Sequence, residues 1–373
     1  MYLKDVSVEN IISKLSNSDI NKSEIALILF GEKNSPNIVE LISAVNQKEI
    51  NLFGGIFPGI IYEDKKYDEG AIVLTLPIVA KPYLINGLDS KEFKIPCFSE
   101  ITANHSGKKY TAMILVDGLT RNISHFLSGM FNRLGNSVTY FGGGAGSLSL
   151  NQKPCLFTNE GIFQDAAIVT FIDMESNLGV RHGWENLMEP FVATSTDRNV
   201  IKELNWKNAF DVYREVVESD SGLELTKENF FSISKGYPFG ISKKSSDYVV
   251  RDPISVNENG DLFCVGEIPE NTVLSILKGD TKSLIGAAGL AAEESIKVDN
   301  KKINYHLIAD CISRTLFLED NFHDELMMIK KKIGTFSNDI PLVGMLTLGE
   351  ISSFGDRYLE FFNKTIVSAI LYE

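Results

Sequence analysis

Phe141-Gly142-Gly143-Gly144-Ala145-Gly146 follows a short apolar, β-branched run at 137–140 and precedes a polar connection that opens no helix. Similar pieces stand at Phe53-Gly54-Gly55 and Val343-Gly344, the second reaching Gly349-Glu350. In each case a helix-like segment precedes the short strand, and another apolar strand follows after the connection. The glycines therefore belong to a repeated unit, and the chain reads outward from it.

In the first copy, residues 25–30 (Ile-Ala-Leu-Ile-Leu-Phe) form a buried strand, 38–45 a helix with Pro36 at its first position, 50–53 a second strand and 70–76 a third. The second copy has a strand over 111–116, a helix over 123–134 stopped by Gly135-Asn136, a strand over 137–141 and a closing strand over 166–172. The third repeats the order at 305–309, 324–333, 340–343 and 365–371. A leading helix is expected over 6–15.

Different material lies between copies two and three. Residues 208–217 have an amphipathic helical pattern, 248–250, 262–265 and 273–277 suggest an antiparallel meander, and 281–298 is an Ala-rich helix. The expected fold class is α/β, with mixed sheets flanked by helices in two domains, 1–205 and 206–373.

Polar residues repeat as well. Copy two has Asp117-Gly-Leu-Thr-Arg121 where its first strand ends, and copy three has Asp310-Cys-Ile-Ser-Arg314; copy one has Gly31-Glu32-Lys33 there. Asp-x-x-x-Arg at this place is either an ion pair fixing the turn or part of a binding crevice. The carboxyl ends of strands in α/β sheets line such crevices, and an arginine there can grip a carboxylate through two hydrogen bonds.

The glycine block itself is neither a dinucleotide loop nor a P-loop. Ser147 occupies the third glycine position, no helix follows, and no Gly-Lys-Ser/Thr closes it. Gly142, Gly143 and Gly144 serve either tight packing or ligand contact.

The net charge of −13 argues against a phosphate-neutralising surface, so nucleic acid is not expected as a partner. The composition, 44% hydrophobic and 23% charged, is that of a globular protein. The N-terminus does not have the pattern of a signal peptide, and no apolar run approaches the ~20 residues of a membrane span, so a cytoplasmic protein is expected. Cys97, Cys155, Cys264 and Cys311 form no Cys-x-x-Cys and are expected as free thiols. His105, His125, His182, His306 and His323 have no metal-ligand spacing, and the odd offset of His306 and Cys311 on one strand opposes a Cys–His pair. Nothing in these patterns demands an enzyme; one would have to use Cys311 or Glu350.

Taken in order, several segments resemble the FIST sensory domains. The run from Phe141 through Gly161 to Ala166-Ala-Ile-Val169 is similar to the N-terminal domain. Asn208-Ala-Phe-Asp-Val-Tyr213, Val250-Arg251, Gly260-Asp-Leu262, Cys311-Ile-Ser-Arg314, Gly349-Glu350-Ile351 and Asn363-Lys-Thr365 are similar to the C-terminal one. The resemblance implies a non-enzymatic sensor of a small ligand, amino acids being typical. The chain shows no output module, so the signal is expected to pass to a separate protein, with a homodimer also allowed. Arg314, Arg121 or Arg251 would grip the ligand, with Asp310, Asp117, Cys311, Glu350, Asn363 and the glycines around it. Some members bind haem and sense nitric oxide, and many carry a histidine where this chain has Phe362. No cofactor is therefore expected; in the haem alternative His182 would be the ligand.

Overall fold

The computed structural model describes residues 1–18, 20–103, 107–188, 190–242, 248–298, 301–334, 340–353 and 358–373; His105 lies outside them. The three copies are present, and each has one topology. In the first, β1 (Glu24–Gly31) leads through α1 (Ile38–Gln47) to β2 (Leu52–Phe57), parallel to β1. A hairpin, β3 (Gly59–Tyr62) and β4 (Lys65–Tyr67), follows, and β5 (Ala71–Pro77) returns antiparallel to β1.

The second copy runs β6 (Tyr110–Asp117), α2 (Ile123–Leu134), β7 (Val138–Ala145), hairpin β8 (Leu156–Thr158) and β9 (Gly161–Phe163), then β10 (Ala166–Ile172). The third runs β11 (Ile303–Cys311), a short α3 (Ile312–Leu318), α4 (Phe322–Gly334) and β12 (Leu342–Thr347). It closes with hairpin β13 (Glu350–Ser353) and β14 (Leu359–Phe362), then β15 (Ile366–Tyr372).

The hairpins do not stay in their own sheets. β3 pairs with β12 of the third copy, β8 with β2 of the first, and β13 with β7 of the second. Each copy thus lends a hairpin to another in a closed cycle, and the three six-stranded sheets have the same strand order. Each also gains an outer strand: Tyr2–Leu3, Tyr83–Asn86 or Glu175–Arg181. Apolar side chains from all three copies, among them Leu27, Leu29, Met113, Leu115, Leu307 and Met345, meet in one core.

This geometry explains the glycines. Gly54, Gly142 and Gly344 stand opposite Ile28, Ile114 and Ile308 on the parallel neighbour. A Cβ at any of the three would press into that isoleucine's carbonyl oxygen, most tightly at Gly142 and least at Gly344. The repeated glycines permit close approach of two backbones.

The helices follow their apolar periodicity. α2 buries Ile123, Phe126, Leu127, Met130 and Leu134, the i, i+3, i+4, i+7, i+11 stripe. α1 starts at Ile38 and not at Pro36, because the Asn37 side chain accepts the N–H groups of Val39 and Glu40.

The intervening segment builds an eight-stranded antiparallel sheet between Glu185 and Lys278. Phe239–Ser242 pairs with both Tyr248–Val256 and Thr272–Lys278, so six of its strands close into a barrel around Ile201, Phe239, Val249, Leu262 and Leu274. The helix Ala209–Ser221, capped by Asn208, packs its Phe210, Tyr213 and Val217 into the same cluster. The 205/206 position falls in the tight turn before Lys207–Asn208, within this sheet. Thr281–Ser295 is the Ala-rich helix and lies against α4.

Candidate functional site

A cavity of about 740 Å³ opens where the carboxyl ends of β6 and β11 meet the barrel. The second copy supplies Gly118–Arg121 and the first residues of α2, Ile123 and Ser124. The third supplies Cys311, Ile312, Ser313, Leu348, Phe361 and Asn363, and the barrel supplies Arg198, Asn199, Cys264, Gly266 and Glu267. Its walls are mostly apolar with a few polar groups, the usual make-up of a small-molecule site.

The two Asp-x-x-x-Arg motifs meet different fates. Arg314 is fully buried. Its Nε lies 3.2 Å from Asp310 and 3.3 Å from Glu325, while its Nη2 donates to Glu325 and to the Leu284 carbonyl. Nη1 donates to the His182 carbonyl at 2.6 Å. Burial, with the Glu325 charge beside it, holds the Asp310 carboxyl well above the usual carboxylate range. Every arm of Arg314 is occupied, and it is not on the cavity wall.

Asp117 takes the loop instead of its arginine. Its carboxylate accepts from Leu119 N at 3.1 Å, Asp165 N at 2.9 Å and Gln152 Nε2 at 2.7 Å, and burial raises its pKa. Arg121 is left exposed on the cavity wall with no ion-pair partner among the described residues. Arg198, in the tight turn between Phe191–Asp197 and Val200–Leu204, is exposed on the same wall and likewise unpaired. Nothing in its local sequence marked it.

Arg251 is buried against Glu360 and donates to the carbonyls of Val250, Glu267 and Phe361. The glycine block packs inside the sheets. Gly143 lies against Thr347, Gly144 against Gly118 and the Phe361 ring, and none of the three lines the cavity.

Cys311 lines the cavity and Glu350 stands behind it. Glu350 accepts from Thr347 Oγ1 at 2.5 Å and from Thr365 N at 3.2 Å. Burial pushes the Glu350 carboxyl up to about 8. Burial and the neighbouring Glu350 push the Cys311 thiol well above its ordinary range, which keeps it protonated at neutral pH and withholds the thiolate a nucleophile needs.

The haem alternative meets a donor set that does not fit. His182 is absent from the wall; its Nδ1 accepts the Trp184 N–H at 3.0 Å. His306 is buried against Ser368, and burial lowers its pKa to about 3. Phe362 sits in the barrel core. No described histidine lines the cavity, and among the described residues no cluster of His, Cys, Asp or Glu could hold a metal ion.

Sequence reasoning missed Glu325, Arg198, Asn199 and Glu267. Glu325 had a signal: it falls between Phe322 and Ile329 on the apolar stripe of α4, where an acid must be buried and paired.

The profile of the FIST N domain matches residues 25–207, and that of the FIST C domain matches 209–353. The chain belongs to the FIST family. No curated protein sequence matches it. FIST domains are sensory domains, and a signalling role for this FIST protein is consistent with that. The cavity lies between the two matched segments: Gly118–Arg121 and Arg198 come from FIST N, Cys264 and Cys311–Ser313 from FIST C. Among the described residues, no helix is long and apolar enough to cross a membrane.

Proposed function

We propose that this FIST protein is a cytoplasmic sensor of a small carboxylate-bearing metabolite, amino acids included, that binds in the cavity and signals to a separate protein. The reading is carried by the placement of Arg121 and Arg198, two guanidinium groups without an ion-pair partner among the described residues, on the wall of a mostly apolar cavity. Arginine holds a carboxylate through paired, charge-assisted hydrogen bonds. The first turn of α2 adds partial positive charge beside Arg121, since a helix start presents N–H groups without intrahelical partners. Glu267, also on the wall, supplies the opposite charge that a zwitterion's ammonium would meet.

A ligand that binds only the folded state stabilises it by mass action, by about 2.7 kcal/mol at a hundredfold excess over its dissociation constant. A thermal-shift screen of amino acids and organic acids is therefore expected to show a concentration-dependent rise in Tm for at least one carboxylate. Replacing both Arg121 and Arg198 by alanine should weaken that ligand at least about tenfold, or 1.4 kcal/mol. A panel without any shift, or a double variant that binds as well as the wild type, would refute the reading.

A further inference from the structure

The cavity is larger than its charges alone call for. At about 740 Å³ it has room for about 25 water-sized groups of about 30 Å³ each. A free amino acid of leucine's size, with about nine non-hydrogen atoms, fills about a third of that space. The remainder would be water held against an apolar wall, which the hydrophobic effect opposes. Ile312, Leu348 and Phe361 of the third copy form the buried part of that wall, joined by Ile123 of the second copy and by Ile254 and Val265 of the barrel. The charged groups on it are Arg121, Arg198 and Glu267. Two cations against one acid favour a net anion over a zwitterion.

A second observation concerns the rim. Leu148 is 44% exposed and Leu150 42%, and both line the same cavity. Leucines exposed singly mean little, but two side by side on an apolar cavity extend its surface outward. The connection that carries them is held in place. Leu148 N donates to the Glu32 carboxylate at 3.0 Å and Leu150 N to the Ser147 carbonyl at 3.0 Å. Gln152 Nε2 donates to Asp117 at 2.7 Å and to Asp165 at 2.8 Å. Leu150 has a φ of +56°, in the left-handed region that a leucine rarely adopts. Such a conformation persists only where the surroundings over-determine it. The two leucines are thus fixed at the opening and not folded into a core.

We propose that the cavity takes an amphiphilic monocarboxylate, a medium-chain fatty acid of about eight to twelve carbons. This rests on the carboxylate reading above and narrows it. The carboxylate sits at Arg121 and Arg198, and the first methylenes lie against Leu148 and Leu150. The rest of the chain runs along Ile312, Leu348 and Phe361, where it displaces water from apolar surface. Each methylene buried in this way is worth about 0.8 kcal/mol, or about fourfold in affinity.

Calorimetric titration of the full chain with butanoate, hexanoate, octanoate and decanoate, each below its micellar concentration, tests this. Affinity is expected to rise about fourfold per added methylene, with a single acid bound per chain. Leu148→Ser combined with Leu150→Asn, asparagine being tolerant of the left-handed conformation, should weaken decanoate at least about fivefold. Arg121→Ala combined with Arg198→Ala should weaken every acid by a similar factor and keep the increment per methylene. Short acids that bind without any gain from chain length overturn the proposal and leave the carboxylate reading standing. Decanoate bound in several copies per chain, or undiminished by the leucine changes, does the same. A chain-length gain that persists with no loss in the arginine double variant overturns both. Failure of all four acids to bind overturns the proposal, while the reading above answers to its own wider panel. Should the leucine double variant not fold by circular dichroism, Leu148→Ser alone replaces it, and the wild-type series decides in any case.

Discussion

The carboxyl ends of β6 and β11 begin from the same motif and finish as opposites. In the third copy, Asp310 and Arg314 close on each other, recruit Glu325 from α4, and are sealed from water. In the second, Asp117 turns to the backbone N–H groups of Leu119 and Asp165, and Arg121 stays in solvent on the cavity wall. The motif does not carry its role with it. What decides is whether a second acid and a covering helix are present to take the arginine out of water. A buried arginine with several fixed partners is structural, whereas an exposed, unpaired one can still meet a ligand.

Removing each arginine should separate the two copies most sharply. Arg314→Met leaves Asp310 and Glu325 buried without a cation and is expected to cost about 3–5 kcal/mol in urea unfolding. The same change at Arg121 should stay within about 0.5 kcal/mol, as for an exposed residue without partners. Equal losses at the two sites would erase the distinction drawn here.

The paired glycines sharpen the comparison at the next level. Gly142→Ala and Gly344→Ala each force a methyl group toward an isoleucine carbonyl, and overpacking of this kind costs about 1–3 kcal/mol or more. The approach is tighter at Gly142, so the second copy should suffer more than the third. The order of the two midpoints in denaturant tests it, and a reversal would refute equivalent packing.

The comparison extends to pH through Glu350, which backs the third copy's strand end. Its folded pKa, about 8, lies above that of an unfolded glutamate, so the native state holds the proton more tightly. Stability must then fall as pH rises from the ordinary carboxylate range through about 8, with a slope of at most about 1.4 kcal/mol per pH unit for one group. Glu350→Gln should flatten that part of the Tm–pH curve. Asp117→Asn in the second copy should flatten it less, because three donors already favour the Asp117 carboxylate. A curve unchanged by Glu350→Gln would show the group to be ionised throughout.

Much of the frame was legible in the residues. Periodicity placed the strands and helices of all three copies, since alternation and the 3.6-residue stripe are local properties. The hairpins were not legible. β3, β8 and β13 are three or four residues long, and their partners lie in other copies, so no local pattern states where they pair. At the site, the motif drew attention to the right strand ends but could not say which arginine would be consumed. That depended on Glu325, presented across the core by another helix. Arg198 was invisible for a related reason: it sits in a barrel turn whose neighbour is a strand end from a different sheet.

The exchanged hairpins also govern how this protein can be born. While the first two copies leave the ribosome, β3 has no β12 beside it and β7 no β13, because both partners belong to the third copy, which is made later. Two strand edges therefore wait open until the third copy is made, and open edges invite pairing with strangers. The arrangement that locks the three copies into one piece is also what leaves the nascent form exposed, and only the strands of the third copy bring that interval to an end.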